Sequence, residues 1–385
     1  MKFVKSWGRL GMTFDTYTLG ELVSIKYGKN QKKVLSDTGT VPIYGTGGLM
    51  GYATEALYDK PSVLIGRKGT IEKIRYVDHP FWTVDTLFYT IVNESIVVPQ
   101  FLYYTMLQLD FLQYNEGTTI PSLRTETLNR IELQIPSIDN QKRILRYLAT
   151  IDNKITLNTA INENLESQAQ AIFKSWFVDF EPFGGVMPGK WCETVLRNIA
   201  TISTKSINPL KHPELYLEHY SIPAYDEQHY PVFEYANEIK SNKYVLTKNS
   251  VMISKLNPAT KRIWRPLCLS DNPVCSTEFI VYEAINPKYK DYIYSLIDSQ
   301  SFSDYLCAHT TGSTNSRQRA TPKTTLDFPC VLPTDDTMSQ FCGVVTPIYN
   351  QIGANLIENQ RLAFLRDTLL PKLMNGEIDV SKVKI

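Results

Sequence analysis

Four short segments of this chain combine cationic side chains with small or hydroxyl residues, and three of the four also contain glycine. The first half contains GRKGT at 66–70 and GTTIPSLR at 117–124, and the second half contains KLNPATKR at 255–262 and GSTNSRQR at 312–319. Lysine and arginine bind phosphate groups, and the planar arginine fork also matches two acceptors on a base edge. Small and hydroxyl residues let the backbone approach such a partner closely. The four segments therefore favour an anionic, hydrogen-bonding partner.

The candidate contact residues share this chemistry. They are Arg67, Lys68, Lys73, Thr118, Thr119, Ser122 and Arg124 in the first half, and Lys255, Lys261, Arg262, Thr314, Asn315, Arg317 and Arg319 in the second. Weaker candidates are Tyr44, Thr46, Lys29, Lys32 and Lys33. The chain carries a net charge of only +1, so any basic surface must be local. The alternative interpretation of each residue is a solvated surface charge or a turn.

Other chemistries find less support in the sequence. The six cysteines form no CxxC pair, and His212, His219 and His229 do not have the spacing of a zinc site, so we expect free thiols and no metal. A phosphate-binding GxxxxGK[ST] loop and a G-x-S-x-G turn are missing from the sequence. Asp226 upstream of Glu238 is a poor match to a nuclease carboxylate cluster. A base-flipping methyltransferase would need an Asn or Asp before two prolines, and no such motif occurs. We therefore expect no catalysis and no bound cofactor.

The elements that position these segments occur twice. IDNKITLN at 151–158 recurs as IYNQIGAN at 348–355, and SVLIGRKGTI at 62–71 resembles SVMISKLNPATKRI at 250–263. TVDTLFYTI at 83–91 similarly resembles CSTEFIVYEAI at 275–285. Because the pieces keep their order, the chain reads as an internal repeat of two related halves.

Each half ends in a long helix with a heptad seam. The predicted seam positions are Ile144, Leu148, Ile151, Ile155, Asn158, Asn162, Leu165, Ala169, Ile172 and Trp176 in the first copy, and Phe341, Val345, Ile348, Ile352, Asn355, Asn359, Leu362, Arg366, Leu369 and Leu373 in the second. A narrow seam of this period is typical of helix-on-helix packing. The alternative is that each helix packs only on its own domain.

Asparagines interrupt both seams at the same turns. A buried asparagine reduces stability but fixes register, because a slipped pairing leaves its amide without a partner. We therefore predict that Asn158, Asn162, Asn355 and Asn359 pair the helices antiparallel. The pair would act as a spacer with pseudo-twofold symmetry.

Outside the two long helices, short β-branched runs occur together with single shorter helices. This pattern predicts an α+β class.

Two long passages of the sequence resemble parts of a known protein family. The central passage IDNKITLNTAINENLESQAQAIFKSWFVDFEPFGGVMPGKW and the C-terminal IENQRLAFLRDTLLPKLMNGEIDV are similar to the helical regions of type I restriction-modification specificity subunits. The resemblance covers nearly the whole chain and is most specific in the helices. It implies a target recognition domain at 1–137, a spacer helix at 138–180, a second target recognition domain at 181–335 and a second spacer helix at 336–385. The expected fold is thus two similar globular α/β domains separated by two long antiparallel coiled-coil helices.

The resemblance also implies the activity and the partners. Each recognition domain would read one half of a split double-stranded DNA target, the helices would set the gap, and the basic loops would contact DNA. Two methyltransferase subunits would dock on the helices, with restriction and translocase subunits in the full complex. S-adenosylmethionine, ATP and magnesium would bind those partners. The other hypothesis is a coiled-coil adaptor without a role in nucleic-acid binding.

Composition and the N-terminal residues bear on location. No stretch approaches the roughly 18 apolar residues of a membrane span, and MKFVKSWGRLGMTF lacks the apolar core of a secretory signal. We expect a cytoplasmic protein with no membrane partner.

Overall fold

The computed structural model describes residues 12–311 and 318–380. The chain divides into two compact units. Unit 1 comprises residues 1–154 and 362–385, and unit 2 comprises residues 155–361. Each unit is α+β, and each takes part of both long helices.

Unit 1 is built mainly from nine strands and three short helices. They are β1 (Phe14–Thr18), α1 (Leu19–Leu22), β2 (Val23–Tyr27), β3 (Val41–Gly45), β4 (Gly48–Ala53), β5 (Ser62–Gly66), β6 (Arg75–Val77), β7 (Trp82–Thr83), β8 (Leu87–Val92), α2 (Pro99–Met106), α3 (Thr125–Asn129) and β9 (Glu132–Pro136). The first long helix, α4, follows at Ile138–Phe177.

Unit 2 contains thirteen strands and four short helices within its described residues. They are β10 (Cys192–Val195), β11 (Ala200–Ser203), β12 (Ser206–Ile207), β13 (Tyr216–Tyr220), α5 (Ile222–Gln228), β14 (Val232–Tyr235), β15 (Lys243–Val245), β16 (Ser250–Ser254), β17 (Ile263–Trp264), β18 (Pro273–Ser276), β19 (Phe279–Ala284), α6 (Lys290–Ile297), α7 (Gln300–Ala308), β20 (Thr310–Thr311), β21 (Arg319–Ala320), α8 (Pro322–Thr325) and β22 (Pro329–Leu332). The second long helix, α9, spans Asp335–Met374. Single 3₁₀ turns lie at Phe111–Tyr114, Glu181–Phe183, Leu196–Asn198, Pro209–Lys211, Ala236–Glu238 and Pro287–Tyr289.

The sheets of the two units share one connectivity. Unit 1 has a four-stranded antiparallel sheet in the order β2-β8-β5-β6, and unit 2 has one in the order β11-β19-β16-β17. In both units a further sheet contains a parallel pair, β3 with β7 and β13 with β18. In each unit a two-stranded ribbon pairs the first strand with the last, β1 with β9 and β10 with β22. The repeat seen in the sequence therefore has a counterpart in strand order.

The central strands are buried because their residues are apolar and β-branched. All five residues of β5 (SVLIG) and all five of β16 (SVMIS) are buried. Such strands, covered on both faces, read as continuous apolar runs rather than alternating ones. In unit 1 the core also includes Leu370, Leu373 and Met374 of α9. In unit 2 it includes Phe173 and Phe177 of α4, so both long helices are packed into the cores.

The long helices bury their seams. None of the twenty seam positions is exposed, and Ile144, Leu148 and Ala169 are completely buried. In unit 1 the buried Gln141 amide donates to the carbonyl oxygens of Ile96 and Pro136, both at 2.8 Å, and so attaches the first turns of α4 to its unit. No helix among the described residues is long and apolar enough to cross a membrane.

Candidate nucleic-acid interface

The loop at 115–122 of unit 1 is held by the side chain of Asn115. Its Oδ1 accepts hydrogen bonds from the backbone N–H groups of Gly117 at 2.8 Å and Ser122 at 2.9 Å, and its Nδ2 donates to the carbonyl of Gly117 at 3.1 Å. A Cβ at Gly117 would lie 1.9 Å from the carbonyl oxygen of Ile120, so only glycine fits there. This clamp leaves Thr118, Thr119 and Ile120 exposed at the tip of the loop.

The loop that carries Arg67 and Lys68 lies directly against this one. The N–H of Leu123 donates to the carbonyl of Arg67 at 3.0 Å, and that of Gly69 to the carbonyl of Pro121 at 2.9 Å. Lys68 and Ser122 face each other in an isolated β-bridge. The structure therefore brings the two predicted segments of unit 1 together as one surface.

Unit 2 repeats this arrangement with different residues. The N–H of Ala320 donates to the carbonyl of Lys255 at 2.9 Å, and that of Asn257 to the carbonyl of Gln318 at 3.0 Å. Leu256 and Arg319 form the isolated bridge. Asn257 has φ +49°, whereas Gly69 at the matching place in unit 1 has φ +90°. Both loops therefore use a left-handed residue for the same turn.

The candidate cations of unit 1 differ in how firmly they are held. Arg67 donates from Nε to the carbonyl of Asp85 at 2.7 Å, and its guanidinium lies 5.6 Å from the ring centre of Tyr27. Arg124 pairs with Glu116 at 3.0 Å but its side chain remains 70% exposed. Lys68 and Lys73 are exposed. Such exposed groups can bind a phosphate with little rearrangement.

The described cations of unit 2 are mostly paired with carboxylates. Arg262 makes a two-pronged contact with Asp226, at 2.6 and 2.9 Å. Lys261 pairs with Asp298, and Arg319 pairs with Glu278 at 3.0 Å. Each of these three cations would exchange a carboxylate for a phosphate on binding DNA. Lys255 is half-buried, and Thr314, Asn315 and Arg317 lie outside the described residues.

A third segment adjoins the loops of unit 1, and sequence reasoning treated it only as a weak candidate. The turn between β3 and β4 places the Thr46 hydroxyl 3.9 Å from the position that a Gly69 Cβ would take. Nearby, the Arg75 guanidinium lies 5.3 Å from the ring centre of Tyr44, and the Tyr44 hydroxyl bonds His79 Nε2 at 3.1 Å. Burial raises the pKa of Tyr44, so its hydroxyl stays protonated. Arg75 and His79 were missed, although Arg75 directly follows the basic loop in sequence.

The asparagines of the long helices meet inside unit 2. The Asn158 amide donates to Asn359 Oδ1 at 2.9 Å and to Glu358 at 2.7 Å, and the Asn355 amide donates to Asn162 Oδ1 at 2.7 Å. Because the lower-numbered residue of α4 contacts the higher-numbered residue of α9, the two segments run antiparallel within this unit. In unit 1, Arg366 of the α9 seam pairs with Asp152 of α4 at 3.0 Å.

Two further expectations concern metals and thiols. Within residues 12–311 and 318–380 there is no cluster of three or more His, Cys, Asp or Glu side chains that could hold a metal ion. His219 instead bonds Glu234 at 2.6 Å. The six cysteines are free thiols, and burial raises the pKa of Cys268 and of Cys342 to about 11. These two thiols are therefore poor nucleophiles at neutral pH.

Comparison with known proteins finds similarity to one family of DNA specificity proteins. Residues 12–167 match the model of the type I restriction modification DNA specificity domain. The type I restriction enzyme MjaIX specificity subunit of Methanocaldococcus jannaschii is 23% identical over 363 residues, which cover 85% of this chain and 80% of that protein. The HindI specificity subunit of Haemophilus influenzae is 38% identical over 108 residues, or 26% of this chain and 24% of that protein.

A solved structure shows a related fold. The crystal structure of a type I restriction-modification system S subunit from M. genitalium aligns with a TM-score of 0.59 and 16% identity, covering 95% of this chain and 97% of that one. Residues 12–167 thus match the type I restriction modification DNA specificity domain, and over most of its length the chain is similar to type I restriction enzyme specificity subunits in sequence and to a type I S subunit in fold.

Proposed function

We propose that units 1 and 2 each read one half of a split double-stranded DNA sequence in the major groove. The observation that carries the proposal is the recurrence of the paired basic loops. Arg67 with Leu123 in unit 1 and Lys255 with Ala320 in unit 2 make the same backbone hydrogen bond, at 3.0 and 2.9 Å. Two similar surfaces with different side chains suit two half-sites of different sequence.

In this proposal the long helices set the gap between the half-sites. The pair would form an antiparallel coiled coil with pseudo-twofold symmetry, separating two target recognition domains. Each helix has 40 residues, or roughly 60 Å at 1.5 Å per residue. Half-sites read from one face of DNA lie about 34 Å apart. Helices of this length are sufficient for such a gap.

The proposed partners follow from the resemblance to type I restriction-modification specificity subunits. We propose that two methyltransferase subunits dock on the helices, and that restriction and translocase subunits complete the complex. This chain would be non-catalytic and would bind no cofactor itself, with S-adenosylmethionine, ATP and magnesium bound by the partners. A cytoplasmic location belongs to the same proposal, since the target is DNA inside the cell.

DNA binding of the chain in complex with its methyltransferase tests the proposal. Affinity for a duplex should fall steeply between 50 and 200 mM salt, because binding to phosphates releases counterions. A coiled-coil adaptor would show no DNA affinity at either salt concentration, and that result would remove the proposal.

The role of the helices has its own test. Inserting about four residues, one helical turn, into both α4 and α9 should lengthen the unread gap without changing the bases that are read. A change in the bases with an unchanged gap would contradict the spacer role.

A further inference from the structure

The Arg75 side chain is held in one orientation beside the basic loops of unit 1. It is the first residue of β6, the edge strand of the four-stranded sheet, and it is exposed. Its guanidinium lies over the Tyr44 ring at 5.3 Å, and the hydrogen bond between the Tyr44 hydroxyl and His79 Nε2 holds that ring in place. Gly48, with φ +125°, would place a Cβ 3.4 Å from an Arg75 nitrogen, so the backbone passes close to the guanidinium. These contacts orient the side chain without using its N–H groups.

The N–H groups of the Arg75 guanidinium are therefore available to bind a ligand. Among residues 12–311 and 318–380, no ion pair or hydrogen bond involves its side chain, whereas Arg124, Arg262 and Arg319 each have a carboxylate partner. Stacking on an aromatic ring leaves the edge of the fork, with its parallel N–H groups, free to bind two acceptors. Guanine presents two such acceptors, N7 and O6, in the major groove.

Unit 2 has no counterpart to this arginine. In unit 1, Leu64 of β5 faces Arg75 of β6, and in unit 2, Met252 of β16 faces Trp264 of β17. Because β5 and β16 both begin with Ser-Val and hold the same place in their sheets, Trp264 occupies the position of Arg75. Trp264 is only 5% exposed and packs against Tyr220 and Tyr225. At this position an exposed guanidinium is therefore present only in unit 1.

We propose that Arg75 reads a guanine in the half-site bound by unit 1, through N7 and O6, and that unit 2 makes no equivalent contact. The inference rests on the proposed reading of split DNA. Lys68 is exposed on the loop that also carries Gly69, and the Thr46 hydroxyl adjoins that loop, so we assign the adjoining phosphates to these two residues and the groove to Arg75. Arg75 thus determines specificity, and its neighbours position the backbone.

The test uses the complex of the full chain with its methyltransferase subunits and a randomised pool of duplexes. The variants are Arg75→Ala and Arg75→Lys, with Arg130→Ala as the control because Arg130 is also an exposed arginine of unit 1. We expect Arg75→Ala to lose preference for one guanine in one half-site by about tenfold to a hundredfold. The other half-site keeps its preference, and Arg130→Ala behaves as the wild type.

A chemical substitution in the DNA provides the second measurement. 7-Deazaguanine at the affected position removes the N7 acceptor, so it should weaken binding of the wild type and leave Arg75→Ala unaffected. Unchanged preference at every guanine in Arg75→Ala overturns the inference while the proposed function stands. Equal losses in both half-sites, shared by Arg75→Lys, also overturn it, because they show a structural role. A wild-type complex without any sequence preference overturns the proposed function itself.

Discussion

The side-chain amide of Asn355 donates a 2.7 Å hydrogen bond to Asn162, and both side chains are buried between α9 and α4 in unit 2. Removing one partner leaves a buried amide unsatisfied, which costs about 1–3 kcal/mol. We predict that Asn355→Ala lowers the free energy of unfolding by that amount in urea titrations. The control is Asn153→Ala, since Asn153 is exposed on α4 and its loss should change stability by less than about 0.5 kcal/mol.

Replacing both asparagines tests their role in register. The double variant Asn162→Leu with Asn355→Leu should be as stable as the wild type or more so, because both buried amides are removed together. The Gln351 amide, which donates to Asn355 in the wild type, belongs to an exposed residue and can bond water instead. It should relax gap specificity in methylation in part, since leucines accept slipped pairings while the Asn158–Asn359 pair still opposes them. A double variant less stable than Asn355→Ala would contradict this account of the pair.

The buried Lys290 predicts how the stability of unit 2 changes with pH. Burial, followed by the charge of Arg265, lowers the pKa of Lys290 from 10.5 to about 8. Between these two values the unfolded chain binds more protons than the folded one, so stability rises with pH across that window. Lys290→Met should therefore stabilise unit 2 at pH 7, by up to about 3 kcal/mol, and this gain should shrink toward pH 10.

The measurement is the free energy of unfolding of wild type and variant at pH 7 and pH 9.5. The hydrogen bond from Lys290 Nζ to the carbonyl of Lys248, at 2.6 Å, is lost in the variant and offsets part of the gain. Lys288→Met, at an exposed lysine two residues earlier, should show no such pH-dependent difference. A gain for Lys290→Met that grows with pH would contradict the direction of the shift.

Arg124 should contribute to DNA affinity but little to stability. Its pair with Glu116 is mostly solvent-exposed, and such pairs stabilise a fold by about 0–1 kcal/mol. We predict that Arg124→Gln reduces the slope of log K against log salt by about 1 and leaves the unfolding midpoint nearly unchanged. Arg130→Gln should keep the wild-type slope. An unchanged slope in Arg124→Gln would remove Arg124 from the phosphate contacts.

The Asn115 clamp should matter through loop order. Asn115→Ala loses the hydrogen bonds from the backbone N–H groups of Gly117 and Ser122, so the loop tip at Thr118 is less ordered before binding. Ordering the tip on DNA then costs a free energy of about 0.5–1.5 kcal/mol per side chain. We expect several-fold weaker DNA binding with an unchanged circular dichroism spectrum. Gln113→Ala, which lies outside the clamp, should bind normally. Equal affinities of both variants would show that the loop does not touch DNA.

The repeat and the long helices were predictable because they depend on local pattern. The Ser-Val starts of β5 and β16 and the heptad spacing around Asn158 and Asn355 are visible in the sequence itself. The sequence showed that the basic loops have similar residue types, but it did not show that they lie against each other. The backbone hydrogen bond between Leu123 and Arg67 joins residues far apart in the chain, and no local pattern encodes it.

The ionic partners were not predictable for the same reason. Arg262 pairs with Asp226 of α5, and the Arg75 guanidinium lies over the ring of Tyr44 of β3. Tertiary packing brings each of these pairs together. Basic residues that looked equivalent in sequence therefore differ in availability. In unit 1 Arg75 and Arg124 are exposed, whereas in unit 2 Arg262 is held by its carboxylate.

The central claim is that two similar units read one split DNA sequence. Mapping of methylated bases in the genome of a host that carries this chain and its methyltransferase tests it most directly. We expect one motif of two short base-specific halves separated by an unread gap of constant length. A contiguous motif, or methylation without any preferred sequence, would contradict it.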